Sequence, residues 1–357
     1  MRRRSILRAG LGLMAWPTWA ADPSADFAPV VPGYALQFPQ DEGSHPQFRT
    51  EWWYVTGWLD LAPVPYGFQV TFFRTRPHPQ TANSSRFAPH HVLIAHAAVS
   101  EPGYGRLRHE QRSARLGFGL ADAAIGATSV WIDDWKLESQ SRGYSTRIEA
   151  KDFGLELLLR PTQAFLLQGD EGFSRKGPNP ASASYYYSLP QLRVEGRVRV
   201  ESAIREARGI AWLDHEWSSE PMDADAIGWD WTGINLDDGS SLMAFVMRRR
   251  DAGIHWATAV RRDAAGGKHS FQRDQVRFVP QRLWKSPRTG AAYPVAAQVH
   301  VGETTIDLAP LMDDQESDSR ITTGAIYWEG AVTASHKGKR VGRGYLELTG
   351  YAKPLRY

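Results

Sequence analysis

Residues 208–217 read Arg-Gly-Ile-Ala-Trp-Leu-Asp-His-Glu-Trp, and residues 343–351 echo them as Arg-Gly-Tyr-Leu-Glu-Leu-Thr-Gly-Tyr. Each stretch follows a Glu-Gly motif, which is Val-Glu-Gly-Arg-Val at 194–198 and Trp-Glu-Gly-Ala-Val at 328–332. The two copies keep the same order at a spacing far longer than a solenoid repeat. We therefore predict an internal duplication that forms two similar domains.

A second pair of motifs lies earlier in each half. Trp53–Asp60 precedes the glycine-led apolar run Gly67–Arg74, and Trp231–Asp237 precedes a similar run at Gly239–Arg248. Chance similarity between strands rich in Trp and Gly is the alternative explanation. The shared order of all these motifs favours the duplication.

Short β-branched and aromatic runs, bounded by Gly, Pro, Asn, Asp and Ser, fill most of the chain and are typical of strands. No amphipathic pattern longer than about ten residues predicts a substantial helix. Many short strands separated by turns favour a sandwich or a barrel, so we predict an all-β protein with few short helices. Residues 22–47 are predicted to form an extended leader that crosses the surface. The domains are then expected at 48–222 and 223–357.

Residues 1–21 have the features of an export signal. Small residues around Ala20 offer a cleavage site, and the apolar stretch before them is too short to span a bilayer. The arginine pair resembles a twin-arginine signal, with an ordinary secretory signal as the alternative. We therefore expect a periplasmic or secreted protein. The charged start of the signal contains four arginines, Arg2, Arg3, Arg4 and Arg8.

Charge and cysteine content exclude several classes of function. The 42 basic and 39 acidic residues give a net charge of +3, and cleavage after Ala20 would remove four arginines, leaving −1. No basic stripe with interleaved aromatic residues occurs, which argues against nucleic-acid binding. The chain has no Cys, which excludes thiol catalysis, Cys–zinc sites and iron–sulfur clusters. Stability must then come from a full-sized core and not from disulfides.

The Asp-His-Glu-Trp stretch is the best candidate for chemistry. Side chains alternate along a strand, so Trp212, Asp214 and Glu216 are predicted to share one face, and His215 and Trp217 the other. Burial among aromatic rings shifts pKa values and could prepare an acid or a base. A buried, hydrogen-bonded and inert histidine is the alternative.

Three further motifs combine aromatic rings with polar groups. They are Glu-Trp-Trp-Tyr at 51–54, Tyr-Tyr-Tyr at 185–187 and Trp-Asp-Trp at 229–231. These rings could line a cavity for an apolar ligand. They could equally fill the interior of a small barrel.

The sequence predicts neither a metal ion nor a cofactor. His90 and His91 are adjacent and diverge on a strand, His96 follows five residues later, and no His-Glu-x-x-His motif occurs. The acidic run at 313–318 lacks the glycine and spacing of a calcium loop and is predicted to be solvated. Nucleophile-elbow and phosphate-loop motifs are also missing from the mature chain.

Taken together, these motifs resemble the hydroxyneurosporene synthase (carotenoid 1,2-hydratase) superfamily and, within it, the AttH-like secreted proteins. The similarity runs from about Phe48 to Tyr351. The motifs that carry it are Glu51-Trp52-Trp53-Tyr54, His96-Ala97, Tyr185-Tyr186-Tyr187-Ser188, Ala211-Trp212-Leu213-Asp214-His215-Glu216-Trp217, Gly228-Trp229-Asp230-Trp231, Tyr293-Pro294, Tyr327-Trp328-Glu329-Gly330 and Gly344-Tyr345-Leu346-Glu347-Leu348-Thr349-Gly350-Tyr351.

The resemblance implies two lipocalin-like antiparallel barrels packed together, in agreement with the duplication. In the hydratases the His and Trp of the Asp-His-Glu-Trp motif are implicated, and His215 and Trp217 match them. The hydratases also use a Tyr and an Asp on the strand after the next Asp-Gly turn, but Leu242–Met247 supplies neither. This departure, together with export, argues against carotenoid hydration.

AttH-like proteins are often encoded beside ABC transporters and are commonly labelled predicted secreted hydrolases. No serine, thiol or metal motif in this chain explains a hydrolase activity. Our leading hypothesis is a periplasmic protein that binds a hydrophobic small molecule or lipid and serves an envelope ABC transporter. The residues expected to contact the ligand are Trp217, Trp231, Trp229, Glu51, Trp52, Trp53, His96 and Tyr187.

The alternative is an enzyme acting on an apolar isoprenoid or polyketide. In that case His215, with Asp214 or Glu216, would carry out acid–base chemistry. A structural adaptor whose barrel interiors are simply filled is the third hypothesis.

Overall fold

A computed structural model describes residues 27–77, 89–251 and 253–355 of the chain. Within these residues the protein is almost entirely β-structure, with two three-residue 3-10 helices at Gln40–Glu42 and Arg273–Gln275. The predicted signal at 1–21 lies outside the described residues. No helix in the described part is long and apolar enough to span a membrane. The strands are β1 (Thr50–Leu59), β2 (Tyr66–Thr75), β3 (Val92–Ser100), β4 (Leu107–Arg115), β5 (Ala121–Ala123), β6 (Ser129–Ile132), β7 (Trp135–Gln140), β8 (Gly143–Glu149), β9 (Phe153–Arg160), β10 (Leu166–Leu167), β11 (Phe173–Arg175), β12 (Ala183–Val200), β13 (Ala203–Ser218), β14 (Ala226–Leu236), β15 (Ser241–Arg249), β16 (Ile254–Arg262), β17 (Lys268–Phe271), β18 (Val276–Lys285), β19 (Ala292–Val301), β20 (Thr304–Pro310), β21 (Glu316–Ser319), β22 (Ala325–His336) and β23 (Lys339–Leu348).

Two antiparallel sheets account for these strands, and they confirm the predicted tandem barrels. The first sheet has the order β4-β3-β2-β1-β13-β12-β9-β8-β7-β6-β5, with β10 and β11 added to β12. The second has the order β17-β16-β15-β14-β23-β22-β20-β19-β18, with β21 added to β22. In each sheet the first strand pairs with both the second and the last strand. The same connectivity in both halves is the structural form of the duplication.

The echoed Arg-Gly motif has a physical reason in both barrels. Gly209 lies where β13 pairs with β1, and a Cβ at this position would lie only 1.8 Å from the carbonyl oxygen of Trp58. Gly344 lies at the equivalent position in the pairing of β23 with β14, where a Cβ would lie 2.1 Å from the carbonyl oxygen of Gly233. Only glycine permits strands to approach this closely.

Alternation along the strands divides the apolar residues into three cores. On β1, Trp53, Val55 and Leu59 point into the first barrel. Tyr54 and Trp58 point out of it, into a third core between the barrels. The second barrel has its own interior of aliphatic residues with Tyr293 and Trp328. The two halves match less well in side-chain positions than in strand order. Trp231 lies in the core between the barrels, whereas Trp53 lies inside a barrel.

Residues 27–47 pack against side chains from the interior of the first barrel. The indole nitrogen of Trp53 donates to the carbonyl oxygen of Glu42 at 3.2 Å, and the amide of Ser44 donates to the carbonyl oxygen of Ala124 at 2.7 Å. The side chain of Asp41 is buried. This segment therefore contributes buried polar groups to the first barrel in addition to crossing its surface.

Candidate functional site

The predicted site residues lie on the two faces of β13. His215 and Trp217 point into the first barrel, together with Glu51, Trp53 and Tyr187. The other face looks toward the second barrel and carries Asp214 and Glu216, near Trp52, Trp229, Trp231 and His96. His215 is therefore not paired with either neighbouring carboxylate, and the two groups form separate clusters.

Inside the first barrel, Glu51 is the centre of a buried hydrogen-bond network. Its Oε1 lies 3.0 Å from His215 Nε2 and 2.7 Å from His45 Nδ1, and its Oε2 accepts from Arg74 Nε at 2.8 Å. His215 Nδ1 lies 3.1 Å from the Tyr187 hydroxyl. The far nitrogen of His45 lies 3.1 Å from an Asp41 oxygen. We call these six residues the barrel-one network.

The network sets the protonation of its members. Burial would raise the pKa of Glu51, but the hydrogen bonds from His215 and His45 and the charge of Arg74 hold it well below its ordinary value. Burial would lower the pKa of His45, yet its hydrogen bonds to Asp41 and Glu51 raise it. Burial lowers the pKa of His215, and the bond to Glu51 offsets only part of that effect. The network thus holds two carboxylates against Arg74 and a protonated His45, a balanced set of charges.

Three members of the network offer atoms that could bind a metal ion. The candidate ligand atoms of His45, Glu51 and His215 lie within 4.8 Å of one another, a grouping that sequence spacing does not reveal because the residues are far apart in the chain. A divalent cation here would lie beside the Arg74 guanidinium, which already bonds to Glu51. The residues fit a closed ion-pair network better than a metal site.

The raised pKa of His45 predicts a pH dependence of stability. Its contribution is complete below the pKa of an unfolded histidine, about 6.5, and is lost as the pH rises through the higher folded-state value. The free energy of unfolding is expected to fall across that range, and His45→Gln should flatten this part of the profile. The control is His269→Gln, which changes an exposed histidine of the second barrel. Parallel profiles for the wild type and His45→Gln would contradict the assignment.

On the opposite face of β13, Asp214 connects the two barrels. Its oxygens accept hydrogen bonds from Ser188 at 2.5 Å, Trp212 Nε1 at 2.6 Å and the Tyr186 hydroxyl at 2.7 Å. The Tyr186 hydroxyl in turn accepts from Nε1 of Trp231 in the second barrel at 3.1 Å. Burial raises the pKa of Asp214 to about 7, even though all three donors lower it.

Two glutamates of the second barrel face the same space. Glu329 and Glu347 are directly opposite each other on β22 and β23. Burial raises the pKa of Glu329 well above its ordinary value, and the charge of Glu347 raises it further. Burial also raises the pKa of Glu347 to about 7, although Trp229 Nε1 donates to it at 3.1 Å. The raised pKa of Glu329 favours its protonated form, which is the form that can donate a proton.

Polar atoms without a well-formed hydrogen bond surround this acid. The hydroxyls of Tyr54 and Tyr345 and the Oε1 of Glu329 are buried, and none of them forms a hydrogen bond of good distance and angle with a described residue. The Tyr54 hydroxyl interacts with the Glu329 carboxyl group, and the Tyr345 hydroxyl interacts with Ser100. Burial raises the pKa of Tyr54 well above its ordinary value, and the charges of Glu329 and Glu347 add to this, which places all these groups close together. Buried polar groups without a well-formed hydrogen bond are rare in folded proteins and point to a missing ligand or water.

Tryptophans surround these polar groups. The ring of Trp231 packs edge-on against Tyr54 at 5.4 Å and against Trp212 at 6.3 Å. Trp52 and Trp229 are partly buried at the edge of the same core. We call this group the interbarrel cluster, which consists of Trp52, Tyr54, Tyr186, Trp212, Asp214, Glu216, Trp229, Trp231, Glu329, Tyr345 and Glu347.

The remaining predicted residues are already hydrogen-bonded at the edge of the cluster. Glu216 forms an ion pair with Lys176 at 2.6 Å. His96 Nδ1 lies 2.6 Å from the Tyr327 hydroxyl and its Nε2 lies 2.8 Å from Thr322 Oγ1. Burial lowers the pKa of His96 to about 3, so the imidazole is neutral. His96 therefore joins the two barrels, whereas Glu216 and Lys176 pair within the first barrel, and both groups are less available for chemistry.

Sequence reasoning gave no role to Glu329, Glu347, Tyr54 or Tyr345, although all four lie in motifs that it quoted. The alternation around Glu347 predicts a half-buried strand with this glutamate on the solvent side. Glu329 is buried and Glu347 is partly buried because the other barrel covers that face, and short sequence patterns carry no signal for this packing.

Comparisons with known proteins agree with the fold. A family model described as AttH-like matches residues 29–351. No curated protein shows significant similarity to the chain. The structure of an AttH from Nitrosomonas europaea is 54% identical in sequence and covers 91% of this chain and 100% of its own, with a TM-score of 0.86.

Two more distant structures share the fold alone. Kievitone hydratase from Nectria haematococca is 13% identical, covers 92% of this chain and 98% of its own, and has a TM-score of 0.67. CghA with Sch210972 is 12% identical, covers 85% of this chain and 89% of its own, and has a TM-score of 0.53. At this identity the similarity supports a common architecture, and function must be argued from the site.

Proposed function

This chain belongs to the AttH-like family, and we propose that it binds an apolar small molecule with a neutral polar group in the interbarrel cluster. The observation that carries the proposal is the set of three buried polar atoms, on Tyr54, Tyr345 and Glu329, that lack a hydrogen bond of good geometry and lie within a core of tryptophans. A hydroxyl or carbonyl group placed among them would satisfy all three. The rings would then contact the apolar remainder of the ligand.

The charge of the cluster narrows the class of ligand. Its described residues include four carboxyl groups, Asp214, Glu216, Glu329 and Glu347, and Lys176 at its edge is already paired with Glu216. A ligand carboxylate would add a further negative charge to a buried acidic site, which is unfavourable. An alcohol or ketone avoids this cost and should bind in preference to the matching acid.

Tyrosine-to-phenylalanine substitutions test the proposal on the free protein. Tyr54→Phe removes a buried hydroxyl that makes no hydrogen bond of good geometry, so the ligand-free protein should lose no stability and should gain up to about 1 kcal/mol in free energy of unfolding. Tyr186→Phe is the matched control, because its hydroxyl accepts from Trp231 and donates to Asp214. That variant should lose a similar amount. Denaturant unfolding of the two variants measures both changes.

The same variants carry the binding test. All-trans-retinol and retinoic acid share one apolar skeleton and differ in their polar end, and quenching of tryptophan fluorescence follows the binding of each. We expect retinol to bind more tightly than retinoic acid and Tyr54→Phe to weaken retinol binding about tenfold. Destabilisation of both tyrosine variants to the same extent, together with an absence of saturable retinol binding, would reject the proposal.

Acid catalysis is a second candidate, favoured by the facing pair of Glu329 and Glu347. A neutral Glu329 could transfer its proton to a carbon–carbon double bond, and the neighbouring tryptophan rings would stabilise the resulting cation. Water would then add to the cation and return a proton to the carboxylate. His215 and Trp217, which match residues implicated in hydratases, lie inside the first barrel, on the other face of β13. Turnover lost in Glu329→Gln with retinol binding retained would distinguish an enzyme from a carrier.

Export and transporter association belong to the same proposal. Both stay predictions, because the predicted signal lies outside the described residues and no partner chain is present. A periplasmic carrier of a neutral apolar compound would suit delivery to, or acceptance from, a transporter in the envelope.

A further inference from the structure

One end of the second barrel has a pocket of about 510 Å³, separate from the interbarrel cluster. It is formed where the hairpins β14–β15, β19–β20 and β22–β23 meet, next to the ends of β16 and β17. This volume lies within the range of pockets that hold small organic ligands, about 300–1,000 Å³.

The floor of the pocket is apolar and continuous with the interior of the barrel. Leu242, Val301 and Ile306 belong to the barrel core and line the pocket, and each is only about 3% exposed. Phe271 and Val341 pack against the same core and complete the wall. A hydrocarbon chain that entered here would lie on aliphatic and aromatic surface.

The rim is charged, and one of its cations, Arg261, forms no ion pair with a described residue. Arg340 forms an ion pair with Asp237 at 3.6 Å. Asp238 accepts hydrogen bonds from the amide and the hydroxyl of Ser240 in its own turn. Arg261 lines the pocket and has neither a hydrogen bond nor an ion pair with any described residue, although its positive charge helps to lower the pKa of Asp238. A planar guanidinium at the mouth of an apolar pocket matches a carboxylate.

We propose that this pocket is a second ligand site, which binds a long-chain carboxylate with its hydrocarbon tail inside the barrel and its carboxylate on Arg261. The site goes beyond the proposed interbarrel function, because it differs in position and in the charge of the ligand that it selects. The interbarrel cluster is acidic and rejects carboxylates, whereas the barrel mouth offers them an arginine that is not held in an ion pair.

The test uses cis-parinaric acid, a fluorescent fatty acid, and the corresponding parinaryl alcohol, with the full-length protein. We expect saturable binding of the acid, about tenfold weaker binding of the alcohol, and the same loss for the acid in Arg261→Gln, as expected for a charge-assisted hydrogen bond. Arg261→Gln should leave binding of the alcohol unchanged.

A second pair of variants locates the site. Thr304→Trp places a large side chain in the pocket and should reduce binding of both probes at least tenfold. Thr305→Trp is the control, because Thr305 is the next residue on β20 and does not line the pocket. Thermal unfolding checks that both variants fold. Equal affinity for acid and alcohol, or unchanged binding of the acid in a folded Thr304→Trp, would overturn the proposal, as would the absence of saturable binding.

Discussion

Replacing Arg74 by methionine is expected to lower the free energy of unfolding by about 3–5 kcal/mol, because the change leaves a buried charge without its partner. Arg74 and Glu51 are both completely buried, with Nε and Oε2 2.8 Å apart. The guanidinium also donates to the carbonyl oxygens of Phe48 at 3.1 Å and His45 at 2.9 Å. A fourth hydrogen bond joins Arg74 to His91 Nδ1 at 3.3 Å, so the substitution removes a charge and four hydrogen bonds from the place where residues 27–47 join the first barrel.

The measurement is denaturant unfolding of the purified variant. Arg277→Met is the control, since Arg277 is exposed on β18, and it should change stability by less than about 0.5 kcal/mol. Combining Arg74→Met with Glu51→Gln removes both charges and should cost less than the sum of the single changes. A loss below about 1 kcal/mol for Arg74→Met would mean that the pair is not the buried charge centre described here.

Asp214→Ala is expected to cost about 3 kcal/mol or more, because three buried donors lose their acceptor together. Those donors are Ser188, Trp212 and Tyr186, and Tyr186 is also the link to Trp231 of the second barrel. The change should therefore loosen the contact between the barrels as well as destabilise the first. Retinol binding at the interbarrel cluster should weaken with it.

A surface carboxylate on the same strand provides the control. Glu206 is exposed on β13, and Glu206→Ala should change the free energy of unfolding by less than about 0.5 kcal/mol. Asp214→Asn keeps an acceptor for two of the three donors and should fall between the two alanine variants. An Asp214→Ala protein as stable as Glu206→Ala would show that the hydrogen bonds to Asp214 do not hold the barrels together.

The sequence contained enough information for the architecture. The echoed Arg-Gly motif contains Gly209 and Gly344, two positions at which paired strands approach closely. Their equivalent positions reflect the duplication. Strand alternation also separated Asp214 from His215 correctly. These features depend on local spacing and on a period of two residues, which a sequence displays directly.

The sequence could not predict which distant residues meet in the two clusters. Glu51 and His215 are 164 residues apart, and Tyr54 and Glu329 come from different barrels. Their meeting depends on the register of β1 against β13 and on how the barrels pack. Neither is encoded in a short pattern. The enzyme hypothesis grouped His215 with Asp214 or Glu216 in spite of their alternation, whereas the structure places His215 in one cluster and the two carboxylates in the other.

Native mass spectrometry of the protein isolated from its own cells, followed by organic extraction, tests the central claim most directly. We predict that extraction releases one neutral apolar molecule per chain that carries a hydroxyl or carbonyl group, in addition to any long-chain carboxylate bound at the mouth of the second barrel. Occupancy should fall in Tyr54→Phe and persist in Arg261→Gln. If the measured mass is that of the chain without a bound molecule, and the protein binds no added retinol, the interbarrel cluster is not a ligand site.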